Sequence, residues 1–461
     1  MLFSSIFFLF YFLPAVLFIY TFSPEKIKNY VLLIASLVFY SWGEPVYVFL
    51  MIISAFFNYS MAKDISEKPR SAKSTLIFTV IVNLLILGFF KYYGFLIETV
   101  NSLFNLDIAY TALPLPIGIS FYTFQALSYV IDVYRGDAKA QKNPFRFALY
   151  LSLFPQLIAG PIVKYKDVSL QLENRSSNAF TIGKGAERFI IGLGKKVILA
   201  NSFGALHAEI LALDAANSSV LSMWICALAF TLQIYFDFSG YSDMAIGLGR
   251  MFGFKFMENF NYPYISKSVT EFWRRWHISL STWFREYLYI PLGGNRVKPV
   301  RHIINLLIVW SLTGLWHGAS WNFVAWGLYY GILLILEKYI FKERLQKMPV
   351  WLQHAYTLLI VVIGWVFFSA ENLTMAFDQL GKMFCFGGLS IANSQFLYLL
   401  RNNIILIIAG IILAGPKPYE VFKDISKKYS GVAIAAMLLI FLISVAYLIF
   451  SSYNPFLYFR F

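Results

Sequence analysis

Only two cysteines occur among the 461 residues, Cys226 and Cys385, and they lie far apart in the chain. Two distant cysteines exclude a disulfide framework and a metal site built from thiolates. Charged residues are also scarce, at 13% of the chain, whereas apolar side chains make up 59% and aromatic side chains 19%. Because a soluble domain carries far more charge, this composition indicates a protein of the lipid bilayer.

Long apolar runs recur through the whole chain, and most could cross about 30 Å of hydrocarbon. They lie at roughly residues 3 to 20, 30 to 42, 46 to 62, 75 to 98, 113 to 134, 148 to 163, 217 to 236, 303 to 317, 320 to 341, 353 to 369, 396 to 414 and 431 to 451. The first run has neither a basic n-region nor a small-x-small cleavage site, so it is interpreted as a span rather than a signal peptide. The runs predict an all-α polytopic membrane protein with about 11–12 transmembrane helices, organised as a single membrane domain over residues 1–461.

Lysine and arginine are distributed unevenly among the connecting segments. Seventeen of them lie in one set of segments, residues 21 to 29, 63 to 74, 135 to 147, 342 to 348 and 415 to 428. Only two lie in the alternate set, residues 43 to 46, 99 to 112, 370 to 395 and 452 to 461. Since basic loops stay in the cytoplasm, both termini are predicted to be extracytoplasmic. Topology therefore explains most of the net charge of +14, and no nucleic-acid partner is predicted.

The most polar part of the chain lies between Arg250 and Arg301, where nine Lys or Arg residues accompany only three acidic residues. Ser268 and Glu271 have the spacing of a capping box, which predicts a helix over about 268–290. On a wheel of 100° per residue, one arc of about 120° contains Phe272, Trp273, Trp276, Leu280, Trp283, Phe284 and Tyr287. We predict an amphipathic interfacial helix, with its aromatic side in the interface or against other spans and its arginines near headgroups or a wet cavity.

A histidine follows in the next apolar helix, "IINLLIVWSLTGLWHG". If that helix enters the membrane at Arg301, His317 lies about 22 Å along it. An ionisable side chain so deep in a bilayer is costly, which makes His317 a functional candidate, although a neutral histidine could instead bond a helix carbonyl and join two spans. The motif "WHGASWNFVAWG" adds rigid aromatic and polar groups, including Trp316 and Asn322, and so favours a lined cavity. Gly314 and Gly318 allow backbone or ligand to approach closely.

A neutral imidazole suits a general base that takes a proton from a hydroxyl as its oxygen attacks a carbonyl. No G-x-S-x-G motif occurs, and neither cysteine has a histidine nearby in the sequence, so we predict direct transfer between two bound substrates. His277 is a weaker candidate, because an interfacial histidine beside arginines is more often structural. The other histidines, His207, His302 and His354, are predicted to be ordinary interface residues.

Two aspartates, Asp237 and Asp243, interrupt the apolar stretch "YFDFSGYSDMAIGLGR". They could line a substrate passage or orient a histidine. The favoured interpretation is that each is a buried carboxylate satisfied by an arginine or by backbone groups.

Four stretches together resemble the membrane-bound O-acyltransferase (MBOAT) family, and within it the branch of the bacterial alginate O-acetylation protein. The first two are "PLPIGISFYTFQALSYVIDVYRG" and "LFPQLIAGPIVKY"; the third begins at "YFDFSGYSDMAIGLGR" and continues through "FWRRWHISLSTWFREYLYIPLGGNR"; the fourth is "LTGLWHGASWNFVAWG". They cover roughly residues 113–330. The resemblance implies a many-helix fold around a central funnel, in a bacterial inner membrane, through which an acyl group from a cytoplasmic thioester reaches an outside hydroxyl.

The resemblance also implies roles for particular residues. The family histidine corresponds to His317, and the second motif histidine to His277. The acyl group is expected to be acetyl, supplied by acetyl-CoA as a substrate with no further cofactor, and an extracytoplasmic SGNH-hydrolase-like partner is expected to complete delivery to a polysaccharide. Side chains expected to bind substrate are Arg274, Arg275, Trp276, Arg285, Trp316 and Asn322, the arginines because they could hold the phosphates of an acyl-CoA.

Three other functions remain open at this point. An MBOAT enzyme could instead transfer D-alanine from a carrier protein to teichoic acid. A transporter of polysaccharide or lipid would also need a passage through the membrane. A haem-binding electron carrier could use two intramembrane histidines, although it usually needs axial pairs on facing spans.

Overall fold

A computed structural model describes residues 1–111, 113–158, 160–386, 388–450, 454 and 457. Throughout this part of the chain, the regular secondary structure is helical, in agreement with the predicted all-α class. The chain forms two compact units. The first consists of Met1–Phe189 and Ser242–Glu258, and the second of Ile190–Tyr241 and Asn259–Phe461. The residues 458–461, on which the predicted position of the C-terminus depends, lie outside the described residues.

The first unit begins with a π-helical turn, Phe8–Phe12, that leads into α1. Its α-helices are α1 (Leu13–Phe22), α2 (Glu25–Ser41), α3 (Tyr47–Glu67), α4 (Ala72–Phe104), α5 (Ile119–Arg135), α6 (Pro144–Ser152), α7 (Phe154–Leu157) and α8 (Tyr165–Glu173). The next helix, α9 (Ala179–Gly194), begins in this unit and ends in the second.

The second unit holds the segments that the sequence marks as functional. Its α-helices are α10 (Asn201–Leu211), α11 (Val220–Met251, which ends in the first unit), α12 (Val269–Arg275), α13 (Ile278–Phe284), α14 (Pro299–His317), α15 (Trp321–Leu336), α16 (Lys342–Lys347), α17 (Val350–Ser369), α18 (Leu373–Met383), α19 (Ser394–Leu413), α20 (Lys417–Lys428) and α21 (Ser430–Phe450). π-Helical turns at Lys195–Ala200, Arg285–Tyr289 and Glu337–Phe341 extend α9, α13 and α15.

Within the described residues, eight helical stretches are long and apolar enough to cross a membrane. They are Tyr47–Glu67, Ala72–Phe104, Ala179–Leu211, Val220–Met251, Trp321–Lys347, Val350–Ser369, Ser394–Leu413 and Ser430–Phe450. The polytopic membrane class is therefore confirmed. The run at 148 to 163 does not form one span, because α6 ends at Ser152 and the short α7, with a proline in its first turn, follows it.

One span, Ala179–Leu211, escapes the apolar-run analysis because it carries several charges. Two of those charges, Arg188 and Lys196, have acidic partners in the fold. In the first unit the guanidinium of Arg188 lies 2.6 Å from a carboxylate oxygen of Asp243, and in the second the Nζ atom of Lys196 lies 2.6 Å from Asp237. Loss of either partner would leave an uncompensated charge in the fold, at a cost of about 3–5 kcal/mol for a buried pair. The favoured interpretation of the two aspartates is thus right, with a lysine rather than an arginine beside Asp237.

Candidate active site

His317 is held by a close pair of helices. Gly314 on α14 and Gly327 on α15 meet face to face, and a Cβ added to either would collide with the opposing backbone. A Cβ on Gly318 would collide with the ring of Phe323. The predicted close approach at the glycines is therefore confirmed, and it brings the end of α14 and the start of α15 together around His317.

Aromatic rings surround the His317 imidazole. Its ring centroid lies 5.0 Å from that of Trp316, 5.1 Å from that of Trp326 and 5.2 Å from that of Phe368, each in an edge-on arrangement. Only 6% of the residue is exposed. Edge-to-face contacts restrict how a ring can turn, so these three side chains fix the orientation of the imidazole.

His277 lies at a break in the segment predicted as one amphipathic helix. The structure has α12 and α13 separated at Trp276 and His277, and His277 has a φ of 44°, in the left-handed region. The prediction of a continuous helix over 268–290 is therefore wrong. The N-terminal cap is right, since the Ser268 hydroxyl accepts a hydrogen bond from the backbone N–H of Glu271.

Asn259, eighteen residues upstream, supplies the hydrogen bonds that stabilise the break. Its backbone carbonyl accepts from the Ile278 N–H at 2.9 Å. Its side-chain oxygen accepts from the Ser279 hydroxyl at 2.9 Å and lies 3.1 Å from Nδ1 of His277. A carbonyl oxygen next to Nδ1 favours the tautomer that carries its proton there, which leaves Nε2 as the basic nitrogen.

Burial sets the proton affinity of His277, which lies outside the eight candidate spans and is only 2% exposed. Burial lowers the pKa of His277 well below its ordinary value, and the nearby His317 lowers this pKa further. A low-dielectric site disfavours the imidazolium ion. His277 is therefore a neutral imidazole near pH 7.

Both histidines open onto one cavity of about 1390 Å³ in the second unit. Its walls come from α12, α13, α14, α15 and the segments that follow α13 and α15. The lining residues on α14 are His302, Leu306, Val309, Trp310, Thr313 and His317, which share one face of the helix. The fifteen residues from His302 to His317 correspond to about 22 Å, so the cavity follows most of the length of α14.

The two ends of this cavity differ in chemistry. The aromatic end contains His277, His317, Trp273 and Trp276. The basic end contains Arg285, Arg296, His302, Lys338 and Lys342. Glu337 is the only carboxylate among the described lining residues, and its oxygens already accept hydrogen bonds from the backbone N–H groups of Val269 and Thr270 at the start of α12.

Five of the eight predicted site residues line the cavity. They are His277, His317, Arg274, Trp276 and, at the basic end, Arg285. Arg275 does not line the cavity. Its guanidinium donates to the Glu271 carboxylate at 2.9 Å and to the Asn261 carbonyl at 3.1 Å, contacts that connect α12 to the preceding segment.

Trp316 and Asn322 are also absent from the described cavity lining. Asn322 donates to the carbonyls of Phe367 and Ala370, at 3.3 and 2.7 Å, and so ties the start of α15 to the end of α17. Trp316 packs against both imidazoles, with ring centroids 6.2 Å from His277 and 5.0 Å from His317. A substrate-binding role for either residue stays a prediction.

Apart from Arg285, the cationic residues of the basic end were not predicted from the sequence, and His302 was predicted to be an ordinary interface residue. Both ring nitrogens of His302 have partners: Nε2 lies 2.8 Å from the Tyr289 hydroxyl and 3.1 Å from Nζ of Lys338, and Nδ1 lies 2.9 Å from the Tyr339 hydroxyl. The sequence feature that could have indicated this basic cluster is the link "RVKPVRH", which leads into the first turn of α14.

Cys226 does have a histidine partner, although it is distant in sequence. Its Sγ atom lies 3.2 Å from Nδ1 of His207, and the same nitrogen lies 3.1 Å from the Cys226 carbonyl. Neither residue lines the cavity that contains His317. The pair is a buried contact between α10 and α11.

Comparison with known proteins agrees with this architecture. Residues 137–377 match the model of "MBOAT, membrane-bound O-acyltransferase family". A protein of Pseudomonas aeruginosa named "Probable alginate O-acetylase AlgI" is 47% identical over 394 residues, which cover 84% of this chain and 75% of the relative. The protein of the same name from Azotobacter vinelandii is 40% identical over the full length of both chains. The peptidoglycan O-acetyltransferase of Helicobacter pylori is 37% identical and covers 88% of this chain and 85% of its own. The chain therefore belongs to the membrane-bound O-acyltransferase family, in the branch of the alginate O-acetylases.

Proposed function

We propose that this protein transfers an acetyl group from cytoplasmic acetyl-CoA across the bacterial inner membrane for the O-acetylation of an extracytoplasmic polysaccharide. The observation that carries the proposal is the two-ended cavity, which joins two buried imidazoles to a cluster of cations. The names of the relatives support an acetyl donor and a polysaccharide acceptor such as alginate or peptidoglycan.

The charge of the basic end favours coenzyme A over a carrier-bound donor. Coenzyme A carries a diphosphate and a ribose phosphate, whereas the phosphopantetheine of a carrier protein has a single phosphodiester. Arg285, Arg296, Lys338 and Lys342 provide several cations for phosphate oxygens. The length of about 22 Å along α14 suits a donor with its phosphates at one end and its thioester at the other.

In the proposed reaction His317 is the general base. Its imidazole takes the proton of the acceptor hydroxyl while the oxygen attacks the thioester carbonyl. The carbon–sulfur bond then breaks, and the departing thiolate takes the proton from the imidazolium, which restores the base. His277 assists from the same end of the cavity as a neutral imidazole. The acetyl group passes directly between the two bound substrates, and no further cofactor takes part.

The acceptor side needs a partner in this proposal. An extracytoplasmic SGNH-hydrolase-like protein completes the delivery of the acetyl group to the polysaccharide. The uneven distribution of lysine and arginine supports cytoplasmic basic loops and extracytoplasmic termini, an orientation that gives coenzyme A access to the basic segments.

A comparison of two donors tests the proposal. Purified protein in liposomes is given radiolabelled acetyl-CoA or a D-alanyl-loaded carrier protein, each together with an alginate oligomer. The His317→Ala variant serves as the negative control. We expect transfer or thioester cleavage only with acetyl-CoA. Reaction only with the alanyl carrier would favour D-alanyl transfer instead. Movement of polymer with no thioester cleavage from either donor would favour a transporter.

A further inference from the structure

The first unit contains a separate pocket of about 300 Å³, a volume at the lower end of ligand sites. It lies where α2 and α6 begin and α8 ends. The lining residues are Glu25, Lys26, Asn29, Tyr30, Leu33, Asn143, Phe145, Arg146, Glu173 and Asn174. None of these residues contributes to the cavity of the second unit, so the proposed acyl transfer leaves this pocket without a role.

The charged side chains of the pocket balance one another. Lys26 and Arg146 line the pocket together with Glu25 and Glu173, and Glu25 also pairs at 2.6 Å with Lys28, which lies outside the pocket lining. Arg146 lies 3.3 Å from the Glu173 carboxylate in a partly exposed pair. A pocket with two charges of each sign suits a ligand that also carries both signs, whereas the carboxylates would repel a purely anionic group.

Hydrogen bonds hold two asparagines of the pocket lining, Asn29 and Asn143, in place. The Asn29 side chain donates to the Leu172 carbonyl at 2.8 Å and accepts from the Arg175 guanidinium at 2.7 Å. Asn143 caps α6 by accepting from the N–H groups of Phe145 and Arg146. Since α2 and α6 both begin here, their positive dipole ends add to Lys26 and Arg146 and favour a phosphate on that side.

An apolar groove of about 110 Å³ adjoins the polar pocket. The two share Leu33 and Phe145. The groove is lined by Leu33, Leu37, Met51, Ile52, Ala55, Phe56, Phe145, Ala148 and Ser152, from α2, α3 and α6. Along α2, Lys26 and Leu37 are about 16 Å apart, so the surroundings of one side of this helix change from charged to almost entirely apolar.

We propose that the pocket and the groove together bind one phospholipid with a zwitterionic ammonium headgroup. The phosphate lies against Lys26 and Arg146, the ammonium against Glu25 or Glu173, and an acyl chain extends past Leu33 and Phe145 into the groove. Lys26 and Arg146 lie in the segments 21 to 29 and 135 to 147, which the distribution of lysine and arginine assigns to the cytoplasm. The lipid therefore belongs to the cytoplasmic leaflet.

Native mass spectrometry of the whole delipidated protein tests this proposal. Phosphatidylethanolamine and phosphatidylglycerol with identical acyl chains are titrated separately, and the first bound lipid is quantified. Lys26→Glu reverses a charge in the pocket. Lys73→Glu is the matched control, an exposed lysine that lies outside the pocket and is predicted to face the same side. Ala148→Phe fills the groove, and thermal unfolding establishes that each variant is folded.

We expect the wild type to bind one phosphatidylethanolamine more tightly than phosphatidylglycerol. Lys26→Glu should weaken that binding about tenfold, since the phosphate loses a cation and meets an anion. Ala148→Phe should also weaken it, whereas Lys73→Glu should stay within about twofold of the wild type. Equal binding of the two lipids, tighter binding of phosphatidylglycerol, or equal effects of Lys26→Glu and Lys73→Glu would overturn the proposal. Because Lys26 is exposed, we expect Lys26→Glu to fold. This variant therefore tests the proposal even if Ala148→Phe does not fold.

Discussion

The two ends of the second unit's cavity each contain a histidine of α14, and the surroundings of the two histidines differ. Three aromatic rings enclose the imidazole of His317. Two tyrosine hydroxyls and a lysine engage both nitrogens of His302. A histidine whose nitrogens are both committed to hydroxyl and ammonium partners is poorly suited to proton transfer. In the proposed function, bonds are therefore made and broken at the aromatic end, and the donor is bound at the basic end.

The largest expected effect comes from removal of the base. His317→Ala should lower the rate of acetyl transfer about 100-fold to 10,000-fold, the range for loss of a general base, and leave the protein folded. Radiolabelled acetyl transfer and thermal unfolding measure the two properties. Normal acetylation by the folded variant would remove His317 from the mechanism.

At the basic end, the expected loss is in affinity rather than in turnover. Arg296→Ala should raise the KM for acetyl-CoA about tenfold and leave kcat nearly unchanged. The variant loses a charge-assisted contact to phosphate that is equally strong in the bound substrate and in the transition state. Arg344→Ala is the matched control, since this exposed arginine of α16 does not line the cavity. A fall in kcat for Arg296→Ala at saturating donor would contradict a role of the basic end in donor binding alone.

Arg274 and Arg275 are neighbours with different surroundings, and a paired substitution separates them. Arg274→Gln should raise the KM for acetyl-CoA, since Arg274 lines the cavity. Arg275→Gln should leave that KM unchanged and cost about 1 kcal/mol of stability or less, the usual range for a partly exposed ion pair. Steady-state kinetics and thermal unfolding distinguish the two effects, and an increase in KM for Arg275→Gln would contradict the assignment.

The last expected effect is on stability alone and concerns pH. The folded-state pKa of His277 lies well below its ordinary value. Below about pH 6.5 the unfolded chain therefore binds a proton that the folded chain does not, and the free energy of unfolding should fall by up to about 1.4 kcal/mol per pH unit until the folded-state pKa is reached. His277→Asn should remove this part of the pH dependence and keep the turn, since asparagine tolerates a positive φ. Parallel unfolding curves for the wild type and the variant between pH 7 and 5 would contradict the expectation.

Local pattern was sufficient to predict which side of the segment at 268–290 is buried. All seven side chains of the predicted apolar arc, Phe272, Trp273, Trp276, Leu280, Trp283, Phe284 and Tyr287, are buried. The break at His277 could not be predicted in the same way, because its hydrogen bonds come from Asn259, outside the segment. Helical periodicity describes neighbours along one helix and contains no information about such a partner.

The same limit explains the missed span and the missed cations. Lys196 and Arg188 made Ala179–Leu211 resemble a polar segment, and only the folded chain supplies Asp237 and Asp243 as partners. Lys338 and Lys342 lie far from His317 in sequence and reach the same cavity through the packing of α14 and α15. The family motifs located the two histidines, whereas the composition of the binding wall required the tertiary structure.

The division of labour within the cavity is tested most directly by measuring donor binding and single-turnover transfer on the same two variants. Equilibrium binding of acetyl-CoA should be nearly unchanged in His317→Ala, while transfer from the bound donor is lost. Arg296→Ala should bind acetyl-CoA about tenfold more weakly and still transfer at the wild-type rate once saturated. The account is contradicted if His317→Ala loses binding and transfer together, or if Arg296→Ala slows transfer from the bound donor as severely as the loss of His317.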